Sequence, residues 1–308
     1  MAARIALKVD VDTYRGTLVG VPQLVDILRR NAAGATFLFS LGPDHTGRAI
    51  KRAFRPGFMN KVGRTSVVSH YGLLTLMYGT VLPGPDIGRR GADIMRGVAE
   101  AGFETGIHCW DHVKWQDGVE KADAAWTAAE MKKAVVRYQK TFGSAPLCHG
   151  AAGWQMNAYG LRLTQSLGFA WSSDTRGTAP FLPVWNGELI RCPQLPTTLP
   201  TLDELIGIDG VTADDVDQRL LQLTATPADH VFTLHAELEG MKLAPVLERL
   251  LTGWREQGYE IVSVGSVAAT LDLARLPRCE VVRGELPGRS GTLMLQGKEF
   301  LAEYKEAA

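Results

Sequence analysis

Cysteine is scarce in this chain, and what there is lies scattered. The four residues present (Cys109, Cys148, Cys192 and Cys279) form no CxxC pair. That argues against a disulfide framework and against a cysteine zinc site. Net charge is missing too: 33 Lys and Arg balance 33 Asp and Glu, so no global field points to nucleic acid. No uninterrupted apolar run of about 18 residues exists to span a bilayer. No charged-then-apolar leader precedes the first strand-like run, so no signal peptide is expected and the cytoplasm is the default location. Internal repeats and low-complexity runs are absent. What remains is ordinary globular composition, 45% hydrophobic and 21% charged over 308 residues, enough for one large α/β domain or two smaller ones.

Short apolar runs alternate with helix-like runs. Strands are expected at Ile5–Val11, Ala35–Leu41, Phe103–His108, Pro146–Ala151, Phe169–Ser173, His230–Leu234 and Glu260–Val264, each as apolar as a buried parallel strand should be. Helices are expected at Val21–Arg30, Gly91–Ala101, Ala128–Phe142, Asn157–Leu167, Ala213–Leu223 and Leu243–Gln257. Thr127 with Glu130 has capping-box spacing, and Gly102, Gly143, Gly168 and Gly258 read as helix stops. Seven strands alternating with helices imply a (β/α) barrel or a doubly wound sheet; both place ligands at strand C-terminal ends. Three stretches break the alternation. Residues 42–90 form a long insertion, 176–203 is Pro-rich with a hairpin turn at Trp185–Glu188, and 277–308 forms a C-terminal extension after a barrel unit at 1–276.

The polar residues of interest gather at those strand ends. Asp10 and Asp12 are two apart on a strand and so project to one face. His108 and His112 are four apart, which on a helical turn puts both imidazoles where they can bite one ion. Cys109 stands where a zincin would have its glutamate, so that reading fails. Taken singly, each pair is equally consistent with turn capping or surface polarity; together they make a divalent-metal site, with Asp12, His108 and His112 leaving coordination positions open. His235 closes another strand and is either a general acid or a histidine packed at the rim. Asp174 either orients His235 or caps a turn. His149-Gly150-Ala151-Ala152-Gly153-Trp154 is either a tight turn or a place where substrate approaches backbone N–H groups as oxyanion donors.

Five segments in this order, Lys8–Thr13, His108–His112, His149–Gly153, Trp171–Asp174 and Leu234–Glu237, resemble the motifs of the polysaccharide deacetylase family, over roughly residues 5–275. The resemblance implies a distorted (β/α) barrel of about seven parallel strands. Two departures stand out: Val11 separates the family's adjacent Asp-Asp, and His149 takes the place of the third element's arginine, which leaves the orientation of the base open. Asp10–Gly16, Phe39–Asp44, Ile107–His112, His149–Gln155 and the insertion at 42–90 are similar to the branch that removes a formyl group from an amino sugar carried on undecaprenyl phosphate.

That branch implies a role in adding aminoarabinose to lipid A, with resistance to polymyxin and cationic peptides, at the cytoplasmic face of the bacterial inner membrane. By carry-over, Asp12, His108 and His112 bind a divalent metal, which Asp-His-His chemistry leaves open among Zn, Co, Ni, Mn and Fe. Asp10 is the general base, His235 the acid supported by Asp174, His149 a further catalytic residue, and Ala152 with Gly153 the oxyanion side of the site. Between residues 51 and 90, seven Lys/Arg accompany the single acid Asp86 and apolar residues such as Phe54, Phe58, Met59, Leu73, Leu74 and Leu76, as in a segment that meets an anionic membrane. The rival readings are an N-deacetylase of another glycan, an inactive lipid-glycan binding protein on the same scaffold, and a TIM-barrel metallohydrolase of another lineage.

Overall fold

A computed structural model describes residues 2–49 and 72–301. In chain order the strands are β1 (Arg4–Val11), β2 (Thr36–Ser40), β3 (Glu104–Cys109), β4 (Cys148–His149), β5 (Trp171–Ser172), β6 (Leu182–Trp185), β7 (Glu188–Leu189), β8 (His230–His235), β9 (Glu260–Ser263), β10 (Arg278–Gly284) and β11 (Leu293–Glu299). Seven of them form one parallel sheet in the order β5-β4-β3-β2-β1-β8, with β9 also on β1. All seven expected strands are there. Residue Ile5 pairs with both β8 and β9, and Lys8 with both β8 and β2. A strand has only two edges, so β9 and β2 share one edge of β1 and β8 takes the other.

The curl does not close through a regular strand. Between β5 and β8 the Pro-rich stretch stands in: Leu195 N donates to Ser172 O, and Thr198 N donates to Val231 O. Within that stretch Asn186 and Gly187 both adopt positive φ (49° and 83°), the conformation that a two-residue hairpin between β6 and β7 demands. β10 pairs in parallel with β6 and antiparallel with β11, so the C-terminal extension completes a second sheet of order β11-β10-β6-β7.

Alternation along β1 separates two layers. Ile5, Leu7, Val9 and Val11 join the main apolar core beneath the helices, whereas Ala6 packs inside the curl with Leu38, Cys148, Trp171 and Val231. Lys8 and Asp10 share the inward face with Ala6 by the two-residue period. Helix Val21–Arg30 presents Val21, Leu24, Ile27 and Leu28 to the outer core. The helix expected to begin after Thr127 begins earlier, at Ala124, because Asp123 caps it by accepting from Trp126 N; Thr127 instead bonds back to the Asp123 carbonyl. Most of the 42–90 insertion that carries its basic and aromatic residues (Lys51, Arg52, Phe54, Arg55, Phe58, Met59, Lys61 and Arg64) lies outside the described residues.

Candidate metal and catalytic centre

His108 sits at the inward-facing end of β3, and His112 is the first residue of the helix His112–Gly118. The two imidazoles therefore meet across a strand-turn-helix junction, not on one helical turn, and stack at 5.3 Å between centroids. Asp111 makes this junction firm: its Oδ1 caps the helix through Lys114 N at 3.0 Å, and its Oδ2 meets His45 Nδ1 at 2.6 Å. Asp12, just past the end of β1, completes the group. Its Oδ1 lies 3.2 Å from His108 Nε2 and 3.5 Å from His112 Nε2.

These three side chains suit a cation. His108 Nδ1 is 2.6 Å from the Gly150 carbonyl, which can only accept, so the proton of a neutral His108 is on Nδ1. Its Nε2 lone pair then faces the Asp12 oxygen, acceptor against acceptor, and Asp12 Oδ1 is buried with no hydrogen-bond partner. A bound cation, or a second proton on His108, resolves such a contact. Burial alone would raise the Asp12 carboxyl pKa, but His112 and His108 overcome it and hold Asp12 below the ordinary carboxylate range. Burial would likewise lower His108, yet Asp10 and Asp12 push it up. Among the described residues, Asp12, His108 and His112 are the group whose ligand atoms converge for metal binding.

Asp10 stands beside the triad. One oxygen, Oδ2, is 3.3 Å from Lys8 Nζ; the other, Oδ1, has no hydrogen-bond partner and is 3.7 Å from His108 Nδ1. His235 is the cross-strand neighbour of Asp10 in the β1–β8 ladder. Burial lowers the His235 pKa, and the charges of Asp12, Asp203, Glu239 and Asp10 outweigh that and raise it. Ala152 and Gly153 lie in the turn after β4 next to Gly150, whose carbonyl orients His108.

Two sequence expectations need correction. Asp174 does not support His235: its Oδ1 takes His149 Nδ1 at 2.7 Å and Ala151 N at 2.9 Å, and its Oδ2 takes Gln194 Nε2. His149 is not at the reaction centre either. It is paired with Ile107 and Ser172 on the outer face of the sheet, packed against Trp115 and Phe169. The His149–Asp174 pair is a buried brace for the turn carrying Ala151 and Ala152. The acids whose charge raises His235 are Asp12 first, then Asp203 from the Pro-rich closure, Glu239 and Asp10, and Glu239 Oε2 also accepts from His235 N at 2.8 Å.

Sequence reading missed the parts played by Glu237, Glu239, Lys8, Trp154 and Glu204. Glu237 Oε1 accepts from Asp12 N, Thr13 N and Thr13 Oγ1, which fixes the loop bearing Asp12. Burial, with Asp12 nearby, raises the Glu237 pKa to about 8, and burial raises Glu239 to about 7. Lys8 is fully buried, a condition that lowers its pKa, against the opposing charge of Asp10. Trp154 carries three cations on its ring: Arg289 at 4.5 Å, with Lys8 and Arg176 each at 4.9 Å. Glu204 ion-pairs with both arginines. Two local sequence signals point to them: the acid spacing after His235 and the lone lysine in an apolar strand.

The parallel curl is the fold of solved polysaccharide deacetylases. A Mycobacterium smegmatis structure named as a polysaccharide deacetylase matches with a TM-score of 0.61, 15% identity and coverage of 92% of this chain and 96% of that one. A Pseudomonas aeruginosa PAO1 structure of the same name matches with a TM-score of 0.59 and 15% identity, covering 87% of this chain and 90% of that one. No family model matches the chain. In sequence it is 37% identical over 95% of its length, and 94% of the relative, to a 4-deoxy-4-formamido-L-arabinose-phosphoundecaprenol deformylase ArnD of Shewanella sediminis (strain HAW-EB3). A relative of the same name from Wigglesworthia glossinidia brevipalpis is 31% identical, covering 92% of this chain and 99% of that one. The chain belongs to the ArnD deformylase family.

Proposed function

We propose that this chain hydrolyses the formamide of 4-deoxy-4-formamido-L-arabinose carried on undecaprenyl phosphate, releasing formate and the free aminoarabinose lipid destined for lipid A. The observation that carries this reading is the converging Asp12-His108-His112 group beside an Asp10 oxygen with no hydrogen-bond partner, in a chain that shares 37% identity with a deformylase. Asp12, His108 and His112 would hold a divalent ion, with His108 presenting Nε2. A bound ion of this kind polarises a carbonyl oxygen and brings the pKa of water from about 16 toward about 7.

The chain's own groups supply the proton movements. Asp10, held at Oδ2 by Lys8, takes a proton at Oδ1 from the water that adds to the formyl carbon. The Ala152 and Gly153 backbone N–H groups, in the turn after β4, are assigned to the oxygen that gains charge. His235, raised toward its protonated form by the acids around it, gives a proton to the sugar nitrogen as the C–N bond breaks. His149 and Asp174 keep the Ala151–Ala152 turn in place and transfer no proton.

A lipid-carried substrate calls for a surface that meets lipid. Leu73, Leu74 and Val81 are exposed in the described end of the insertion, Arg89 and Arg90 are exposed nearby, and Leu18 and Val19 are exposed in the turn after Arg15. The Arg15 guanidinium lies against Gly72 and joins the two segments. Apolar tips rimmed by arginine fit a peripheral position on an anionic leaflet, and we place the enzyme at the cytoplasmic face of the inner membrane. No described helix is long and apolar enough to cross a membrane. Residues up to 276 are read as the barrel unit, and 277–301 as an extension that braces it through β10 and β11.

The test is formate release from a polyprenyl-phosphate formamido-sugar, with chelator and with added metal. Chelator-sensitive formate supports the reading. Acetate from chitin-type oligomers without formate would replace it with an N-deacetylase, and binding without turnover would leave a lipid-glycan binding protein.

A further inference from the structure

A lysine in the middle of a buried parallel strand requires explanation, because an ammonium taken out of water is costly unless every N–H finds an acceptor. Lys8 is completely buried. Its ammonium has three N–H donors, and three acceptors surround it. Asp10 Oδ2 is at 3.3 Å, the Ser173 carbonyl at 3.4 Å, and the Trp154 ring centroid at 4.9 Å.

The neighbours are built around this side chain. Gly150 follows β4, and a Cβ there would lie 2.4 Å from Leu38 Cδ1 and 3.3 Å from Lys8 Cε, so the absence of a side chain makes room for the lysine stem. Trp154 is itself fixed by Nε1 donating to Thr197 Oγ1 at 3.2 Å, and Thr197 Oγ1 meets Thr233 Oγ1 at 2.7 Å on β8. The acceptors thus come from the ends of β1 and β5 and from the turn after β4. Lys8 faces inward two residues before Asp10, so its ammonium reaches the carboxylate from inside the curl. It takes Oδ2 only, and Oδ1 is left without a hydrogen-bond partner.

We propose that Lys8 is a positioning residue for Asp10: its ammonium clamps Oδ2 so that Oδ1 is the oxygen available for proton transfer. The inference rests on the deformylase reading for the role of Asp10. Lys8 bonds to Asp10 and to the Ser173 carbonyl and to none of Asp12, His108 and His112; its charge reaches His108, whose pKa it lowers, so cobalt binding is measured beside kcat.

The experiment is a double-mutant cycle with Lys8→Met, which keeps the stem length, and Asp10→Asn, read as kcat and KM for formate release. Cobalt binding to each protein is measured by equilibrium dialysis alongside. Lys8→Met is expected to lower kcat by about 100-fold, within the range of a general-base contribution, with KM and cobalt binding close to wild type. Adding Lys8→Met to Asp10→Asn should cost little more, because the two act as one unit. Losses that multiply, or a Lys8→Met loss confined to KM or to cobalt binding, would overturn the proposal.

A second measurement does not depend on Lys8→Met folding. In protein labelled with nitrogen-15 lysine, a slowly exchanging side-chain ammonium signal is expected that shifts on Asp10→Asn. No such signal, or one that Asp10→Asn leaves in place, would overturn the clamp. Wild-type protein that releases no formate would refute the deformylase reading alone, and the ammonium signal would still decide whether Lys8 holds Asp10.

Discussion

His108 Nδ1 donates to the Gly150 carbonyl at 2.6 Å, and that bond decides which nitrogen faces Asp12. Tautomer and ring orientation are set from outside the triad, as a metal-ligating histidine requires. Asp12 and Asp10 then separate into ligand and base by position. Asp12→Ala should remove metal and activity together. Asp10→Asn should lower formate release by about 100-fold or more, leaving a residual rate, while metal stays bound. Metal content of the purified variants, with formate release, checks this; equal metal loss in both would refute the division of roles.

His235→Asn should lower kcat for the natural amide by roughly 100-fold or more, the usual range for a lost general acid. An N-formyl arylamine, whose nitrogen leaves with less need of a proton, should lose much less. An equal loss on both substrates would mean that His235 does not protonate the leaving nitrogen.

Glu204 links the closure to the C-terminal extension by pairing with Arg176 and Arg289. Burial would raise its carboxyl, but Arg289 and Arg176 outweigh burial and lower it. Its folded pKa therefore lies below its unfolded value, so its stabilisation is complete above about 4.3 and is lost as pH falls through the folded value. Thermal melts should show wild-type Tm dropping in that acid range. Glu204→Gln, which strands two guanidinium groups, should melt lower at neutral pH by an amount on the order of 3 kcal/mol, with a flatter acid limb. A variant as stable as wild type at neutral pH would contradict this account of the cluster.

Leu73→Glu with Leu74→Glu and Val81→Glu should weaken co-sedimentation with phosphatidylglycerol vesicles. Turnover of a short-chain, water-soluble formamido-sugar phosphate should hold, because none of the three lies in the centre. Unchanged sedimentation would remove the lipid contact assigned to this face.

Much of this was legible from residue order. Short apolar runs located the seven parallel strands, and the Asp10/Asp12 alternation gave their shared face. What failed did so for a physical reason. The HxxxH spacing brought the right residues together, but the strand ends at Cys109 and the helix starts at His112, so the contact is made across a turn. Asp174 was assigned to His235 because both end strands; which face each side chain takes depends on ladder pairing, and that pairing sends His149 outward, where Asp174 meets it. The partners of Lys8 come from Ser173 and Trp154, far along the chain, and no local pattern reveals them. The Asn186–Gly187 hairpin, by contrast, was fully local and was read correctly.

The alternation along β1 also guards against a misaligned fold. A slip of one residue against β2 and β8 would carry Lys8, Asp10 and Asp12 into the apolar layer now filled by Leu7, Val9 and Val11. Three charged groups would lose Ser173, Trp154 and the histidines at once, each at several kcal/mol. The side chains that do the chemistry are thus also those that make any other alignment of this strand too costly to persist.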